Sequence, residues 1–323
     1  PLVSVVVPTY NRPQYLQRAL ASIAQQSYSN LEVIVVNDAG EDVRGVIRDF
    51  EKERAIRYIV HEHNQGAGAA RNTGFSVAQG KYITFLDDDD VFYPHHIRTL
   101  VDCLEKNNRE VVAAYTDAIE AVFDYSTESP KEVERKVTYS EDFNFENLLA
   151  YNYIPILTLM FRREVLASVG GFDTGLAALE DWEWLIRLAS AGKFVHVPVV
   201  TAEYEVKQRG TSRNQLTLET IQKLYLEIYR RHHSLRTSAL AEKCSGIYRA
   251  MVGRDLRAEA PDLFQSEVSA RDGRTVFEFS PEKILAYVRG LLERNDMVSA
   301  ENWLQRAVAS FPQDVMLLNT YGT

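Results

Sequence analysis

Over its first ninety residues the chain alternates short β-branched runs with amphipathic stretches, and that alternation leaves few folds open. Residues 3–7, 31–37, 57–60 and 81–86 are largely apolar at consecutive positions rather than at every second one. Runs of that kind make strands buried on both faces. The segments between them, 14–26, 41–52 and 68–79, repeat their apolar residues at helical spacing, and glycines open the last of the three. Strand and helix in this rhythm predict a parallel sheet covered by helices on both sides.

Further along, the spacing predicts a helix from about residue 94, a strand at 110–115, a buried strand at 157–161, a helix at 183–191 and an extended segment at 194–205. Residues 121–146 are polar and charged, which suits an edge hairpin or a long loop. From 216 onward nearly everything has helical periodicity. Within 282–311, Leu285, Val288, Leu292, Asp296, Ala300, Leu304, Ala307 and then Pro312 resemble a tetratricopeptide repeat, in which small residues let two antiparallel helices approach. One repeat cannot bury its own face, so the pattern predicts that the chain continues past Thr323; an ordinary helical hairpin closing the domain is the alternative.

The bulk properties exclude some classes of function. A net charge of -9 without a local basic patch argues against a nucleic-acid partner. The two cysteines, Cys103 and Cys244, have no metal or redox spacing and read as buried thiols in a reducing compartment. The sequence opens on Leu2 and the strand itself, which suggests an excised segment, and no basic leader precedes it. No apolar run approaches the ~20 residues that cross a bilayer. These features predict a cytoplasmic protein and leave open attachment at the inner face of a membrane through a partner.

Chemistry concentrates in Asp87, Asp88, Asp89 and Asp90, which follow the strand ending at Leu86. Ligands of open α/β sheets bind beyond the carboxyl ends of the strands, so the position suits a site. Adjacent carboxylates repel one another unless a cation or solvent compensates, and hard oxygen ligands suit Mg²⁺ or Mn²⁺ bridging a diphosphate. A solvated acidic turn is the competing reading of the run in isolation.

Its context carries a resemblance. Val3 to Asn11 (VSVVVPTYN), Glu32 to Asp38 (EVIVVND), Asn64 to Asn72 (NQGAGAARN), Gly80 to Asp90 (GKYITFLDDDD) and Glu180-Asp181-Trp182 follow one another at the spacing of the family 2 inverting glycosyltransferases. The chain is similar to that family over residues 1–215. The resemblance implies a GT-A, Rossmann-like α/β fold: a mixed sheet flanked by helices, followed by an α-helical C-terminal region. It implies a nucleotide-binding half over about 1–115 and an acceptor half over about 116–215. A helical extension over 216–280 and the repeat-like helices of 281–323 would follow.

It also assigns roles. Pro8, Thr9, Tyr10 and Asn11 leave the first strand where a turn and a ring can hold a nucleobase, and Asp38 corresponds to the acid that recognises base or ribose. Asn64 and Gly66 lie in the glycine-rich segment, and Arg71 corresponds to the arginine that contacts the nucleotide and the metal-binding acids. Each has a plainer alternative: a strand-to-helix turn, a helix-capping aspartate, a structural ion pair. The metal falls to Asp89, with Asp87 in the same motif and Asp88 nearer the ribose and sugar; four aspartates leave the register loose by one.

An inverting transfer needs one general base for the acceptor hydroxyl. By resemblance it is Asp181, supported by Glu180, with Trp182 offering a face to a sugar ring. First-turn helix acids and a core tryptophan are the alternative. Implied partners are a UDP-, dTDP- or GDP-linked sugar donor and a glycan or other hydroxyl acceptor, in polysaccharide assembly or protein decoration, and the C-terminal helices could hold a protein partner. The chain departs from the family after residue 205, where a histidine is common; Lys207, Arg209 or Arg213 could serve the diphosphate instead, or the segment is solvated surface. His95 and His96 read as surface helix residues and His196 as a satisfied core histidine. Two rivals stay open: Asp87 to Val91 fits the pattern of aspartate-nucleophile phosphatases, and a non-catalytic scaffold would keep the fold alone.

Overall fold

The computed structural model describes residues 1–126, 131–138, 140–207, 217–235 and 237–264. The described strands are β1 (Val3–Thr9), β2 (Leu31–Asn37), β3 (Ala55–Val60), β4 (Tyr82–Phe85), β5 (Val91–Phe92), β6 (Val111–Asp124), β7 (Lys131–Thr138), β8 (Leu159–Arg162) and β9 (Lys193–Lys207). They form one mixed sheet in the order β3-β2-β1-β4-β8-β6-β9-β5, with β7 beside β6. The first four run parallel, Val5 lying opposite both Val33 and Thr84. Strand β8 is antiparallel to β4 and β6, which returns β6 to the direction of β4. The C-terminal ends of β1, β2, β4 and β6 therefore share one edge.

The helices of this unit are α1 (Pro13–Ala24), α2 (Arg44–Phe50), α3 (Ala67–Val77), α4 (His96–Lys106), α5 (Phe145–Ala150), α6 (Leu166–Val169) and α7 (Glu180–Ser190). Every residue of β1 is buried, as its uninterrupted apolar run predicts. On one face Val3, Val5 and Val7 join Leu16, Leu20 and Ile23 of α1 and Ile97, Leu100 and Leu104 of α4 in a continuous core. On the other, α3 lies so close that a Cβ on Gly74 would stand 2.3 Å from Val6 Cγ1. Beside it Phe75, Phe85, Phe161, Phe172 and Trp184 stack or meet edge to face, with centroids 4.8 to 5.9 Å apart. Gly74→Ala is expected to cost about 1–3 kcal/mol through overpacking, read as a lowered urea midpoint at unchanged slope.

The polar stretch expected as a hairpin or loop forms both: β6 runs on to Asp124 and pairs antiparallel with β7, Ala118 facing Thr138, and α5 follows. Charges crowd β7 rather than alternate: Glu134 and Lys136 are half-buried, while Val133, Arg135 and Val137 on the other side are exposed. The helix expected from 183 begins three residues earlier, at Glu180, which puts both acids in its first turn. No helix among the described residues is long and apolar enough to cross a membrane.

The chain divides into two compact units, Pro1–Leu148 with Asn152–Leu216, and Leu149–Tyr151 with Thr217–Thr323. Within the second, α8 (Leu218–Arg231), α9 (Ser238–Val252) and α10 (Leu256–Glu259) are opened by Thr217, Thr237 and Asp255, whose side chains accept backbone N–H groups. Gly253, at φ 74°, ends α9 in the left-handed conformation. The repeat-like pattern at 281–323 lies outside the described residues.

Candidate active site

Because β1, β2 and β4 are parallel neighbours, the loops that leave them meet at one edge and enclose an open cleft of about 370 Å³. Pro8, Thr9, Tyr10, Asp38, Asn64, Gly66, Asp87, Asp88 and Asp89 line it, together with Arg12. Three non-glycine residues of the described chain have left-handed backbones, and each flanks one of the motifs: Asn11 at φ 55°, Ala39 at φ 62° and Leu179 at φ 61°. Strain of this kind persists where the surroundings over-determine it, and it gathers at functional sites.

Asp38 sits at the floor of the cleft with its carboxylate fully engaged. It accepts the backbone N–H groups of Gln65 (2.9 Å) and Gly66 (2.7 Å) and lies 2.6 Å from His61 Nδ1. Thr73 Oγ1 lies 2.8 Å from His61 Nε2, so a hydroxyl donated to Nε2 leaves the Nδ1 proton for Asp38. Asp38 thus fixes the mouth of the glycine-rich loop as well as facing the cleft. Asn11 turns away: its side-chain oxygen accepts the Glu41 N–H at 2.8 Å and ties the turn after β1 to the loop after β2.

Arg71, in α3, is buried behind the acids rather than in the cleft wall. Its Nη2 donates to both oxygens of Asp87 at 2.8 Å, and its Nη1 donates to Glu180 Oε1 at 3.0 Å. The guanidinium also lies over the Phe172 ring, 5.5 Å from its centroid. One cation therefore joins the acid run to the first turn of α7, segments more than ninety residues apart in the sequence. Next to Glu180, Asp181 accepts from Asn152 Nδ2 (3.2 Å) and from the Trp182 N–H (2.7 Å). Burial, then the charge of Glu180, pushes the Asp181 carboxyl up to about 6, with Arg71 opposing them.

Trp182 corrects an expectation. It has no exposed surface, and its indole N–H donates to the Leu148 carbonyl at 2.6 Å, so it presents no face to a sugar ring. The apolar side of α7 must enter the core to hold Glu180 and Asp181 at the sheet edge.

The acid run also sorts itself. Asp87 is clamped by Arg71, whereas Asp88 and Asp89 converge on one nitrogen, Arg12 Nη1, at 3.3 and 2.6 Å. Of the two residues expected at the metal, Asp87 has both oxygens on Arg71, and Asp89 lies beside Asp88 against Arg12. Thr9 Oγ1 donates to Asp88 at 2.8 Å. Burial raises the Asp88 carboxyl to about 6 despite that bond, and burial followed by the Asp87 charge raises Asp89. Asp90 is raised well above the usual range by burial, then by Asp87 and Asp89; it accepts the backbone N–H of Glu205, which ties the run to the end of β9.

Two carboxylates short of positive charge and already sharing a single cationic nitrogen fit a divalent ion. No group of three His, Cys, Asp or Glu ligands forms among the described residues. A bound Mg²⁺ takes only one or two carboxylates and completes its shell with phosphate and water.

Of the three histidines weighed in the sequence, none lines the cleft. His96 is buried, stacked on Phe92 at 3.9 Å, and pushed down to about 3 by burial. His95 lies against the Val200 carbonyl at 3.3 Å, and His196 sits between Asp117 (2.8 Å) and Asp142 (3.0 Å). The side chain of Lys207, and the whole of Arg209 and Arg213, lie outside the described residues. Sequence reasoning missed Arg12, Asn152 and His61. Arg12, next to Asn11 at the end of the first motif, carried a signal in its charge and place; Asn152 carried none.

The comparisons with known proteins agree with this fold. Residues 4–169 match the family described as Glycosyl transferase family 2. The uncharacterized glycosyltransferase YwdF of Bacillus subtilis is 33% identical over 238 residues, covering 72% of this chain and 84% of its own. Among solved structures, S. aureus TarS 1-349 in complex with UDP-GlcNAc shares the fold at a TM-score of 0.59 and 15% identity, over 95% of this chain and 82% of that one. The mannosyltransferase PcManGT from Pyrobaculum calidifontis, in complex with GDP-Man and Mn²⁺, does so at 0.51 and 19% identity, over 97% and 87%. The phosphatase alternative falls with this match, and its would-be nucleophile Asp87 is held by both oxygens. With this fold and these motifs, the chain belongs to glycosyl transferase family 2.

Proposed function

We propose that the protein is a metal-dependent, inverting glycosyltransferase that moves a sugar from a nucleoside-diphosphate donor to an acceptor hydroxyl. The observation that carries this reading is the Arg71 bridge, which sets the donor acids and the Glu180-Asp181 pair around one guanidinium. The base and ribose of the donor rest between Tyr10, Asp38 and the Asn64–Gly66 loop, and Asp88 and Asp89 hold the divalent cation. A cation held there would supply positive charge against the leaving diphosphate.

Asp181 takes the proton of the acceptor hydroxyl. The oxygen attacks the anomeric carbon from the side opposite the diphosphate, a new C–O bond forms as the old one breaks, and the configuration inverts. Asn152 keeps one Asp181 oxygen aimed, and Glu180, held by Arg71, keeps a second charge beside the base. UDP in the TarS complexes and GDP-Man in PcManGT support a donor of this class, with UDP-, dTDP- and GDP-sugars as the candidates. Residues 1–215 would carry the reaction, with 216–280 as a helical extension and 281–323 as repeat-like helices, in glycan or surface polysaccharide assembly.

Thermal denaturation with Mn²⁺ and a panel of nucleoside diphosphates tests the donor half. One nucleotide at 100-fold its dissociation constant should stabilise the fold by about 2.7 kcal/mol, and only with metal present. No stabilisation by any nucleotide would leave a non-catalytic scaffold as the better reading.

A further inference from the structure

The cleft holds a cation of its own. Arg12 is the residue before α1, fixed at its backbone where its carbonyl accepts the Leu16 N–H at 3.0 Å, and Pro13 begins the helix behind it. The side chain is another matter: it is 45% exposed, and only its tip reaches into the site. There a single nitrogen, Nη1, spans Asp88 Oδ1 and Asp89 Oδ2. Arg71 cannot take that place, because its Nη1 and Nη2 are engaged by Glu180 and Asp87 and it is buried.

We infer that Arg12 is an exchangeable counter-ion occupying the divalent-cation position at Asp88 and Asp89, so that metal and diphosphate bind cooperatively. The inference rests on the transferase reading above and adds a regulation to it. A metal ion arriving alone must displace the guanidinium from two carboxylates and leave it without an anion. A diphosphate arriving alone must draw Arg12 off acids that then lie uncompensated. Arriving together, the metal satisfies the carboxylates and the diphosphate satisfies Arg12, so each ligand removes the other's cost. Coupling of this kind is reciprocal. Because the side chain is half exposed, it can leave the acids without moving the backbone or the core.

The test is Mn²⁺ binding, read from the EPR signal of free Mn²⁺, for wild type, Arg12→Gln and Arg12→Lys, alone and with saturating UDP or GDP. Arg12→Gln should bind Mn²⁺ alone about two- to fivefold more tightly than wild type, the scale of a partly exposed ion pair. The nucleotide should then strengthen Mn²⁺ binding less in Arg12→Gln than in wild type. Arg12→Lys, which keeps the charge, should stay near wild type in both measurements. Wild type that binds Mn²⁺ with nucleotide, beside an Arg12→Gln whose affinity for Mn²⁺ alone is unchanged or weaker, overturns the counter-ion role and leaves the transferase reading standing. Failure of every protein to bind Mn²⁺ under all conditions overturns both.

Discussion

Asp181→Asn should bind donor and metal much as wild type does while transfer falls by about 10²- to 10⁴-fold, the usual worth of a positioned general base. Asparagine keeps the shape, and its single side-chain oxygen can still accept the Trp182 N–H while the bond from Asn152 is given up, so the loss would report mainly the missing base. The pH profile supplies an independent reading. Burial and Glu180 raise the Asp181 carboxyl to about 6, so at saturating donor kcat should fall as pH drops through that value and level off above it. The sign follows from the role: a base works only when deprotonated, and a raised carboxyl is protonated sooner on acidification. Asp88 is raised to a similar value, but in the proposed role its protonation should weaken donor binding and so move KM rather than kcat. Normal turnover by Asp181→Asn would remove Asp181 from the mechanism.

The second large effect is expected at Arg71. Arg71→Met fills much of the same volume but strips Asp87 and Glu180 of their shared cation. Breaking a buried pair by removing one partner costs about 3–5 kcal/mol. Asp87 and Glu180 retain 29% and 18% of their side-chain surface, so water moderates the loss and the lower end, about 3 kcal/mol, is expected. In a domain of this size that corresponds to a fall in Tm of roughly 6–12 °C. Activity should drop by at least about 10²-fold in protein that remains folded, because donor acids and base lose their common anchor. Arg71→Lys should rescue little: one ammonium cannot grip both Asp87 oxygens and still reach Glu180 in the planar fork that arginine supplies. Denaturation midpoints and transfer rates on the same samples separate the two effects.

The parts of the fold visible in sequence are those governed by local periodicity. The consecutive valines of β1 and β2 required strands buried on both faces, and both are buried almost throughout. Helix α7 was legible too: its periodic run was read from 183, and the first-turn acids and core tryptophan weighed for Glu180, Asp181 and Trp182 are what the structure has. The direction of β8 was not legible, since an antiparallel strand and a parallel one carry the same apolar pattern when both faces are covered.

For the site, the amino-acid sequence by itself singled out Asp87 to Asp90, Arg71, Glu180 and Asp181 as candidates, though not Arg12: the acid run follows an apolar strand, and the five motifs stand in one order. Tertiary structure alone decided how those charges are divided. Asp87 belongs to Arg71, Asp88 and Asp89 belong to Arg12, Asp90 belongs to the backbone of β9, and Asp181 belongs to Asn152. Four like residues in a row are indistinguishable by local pattern. Their roles separate only when distant segments bring particular donors within about 3 Å, where a hydrogen bond or ion pair has most of its strength.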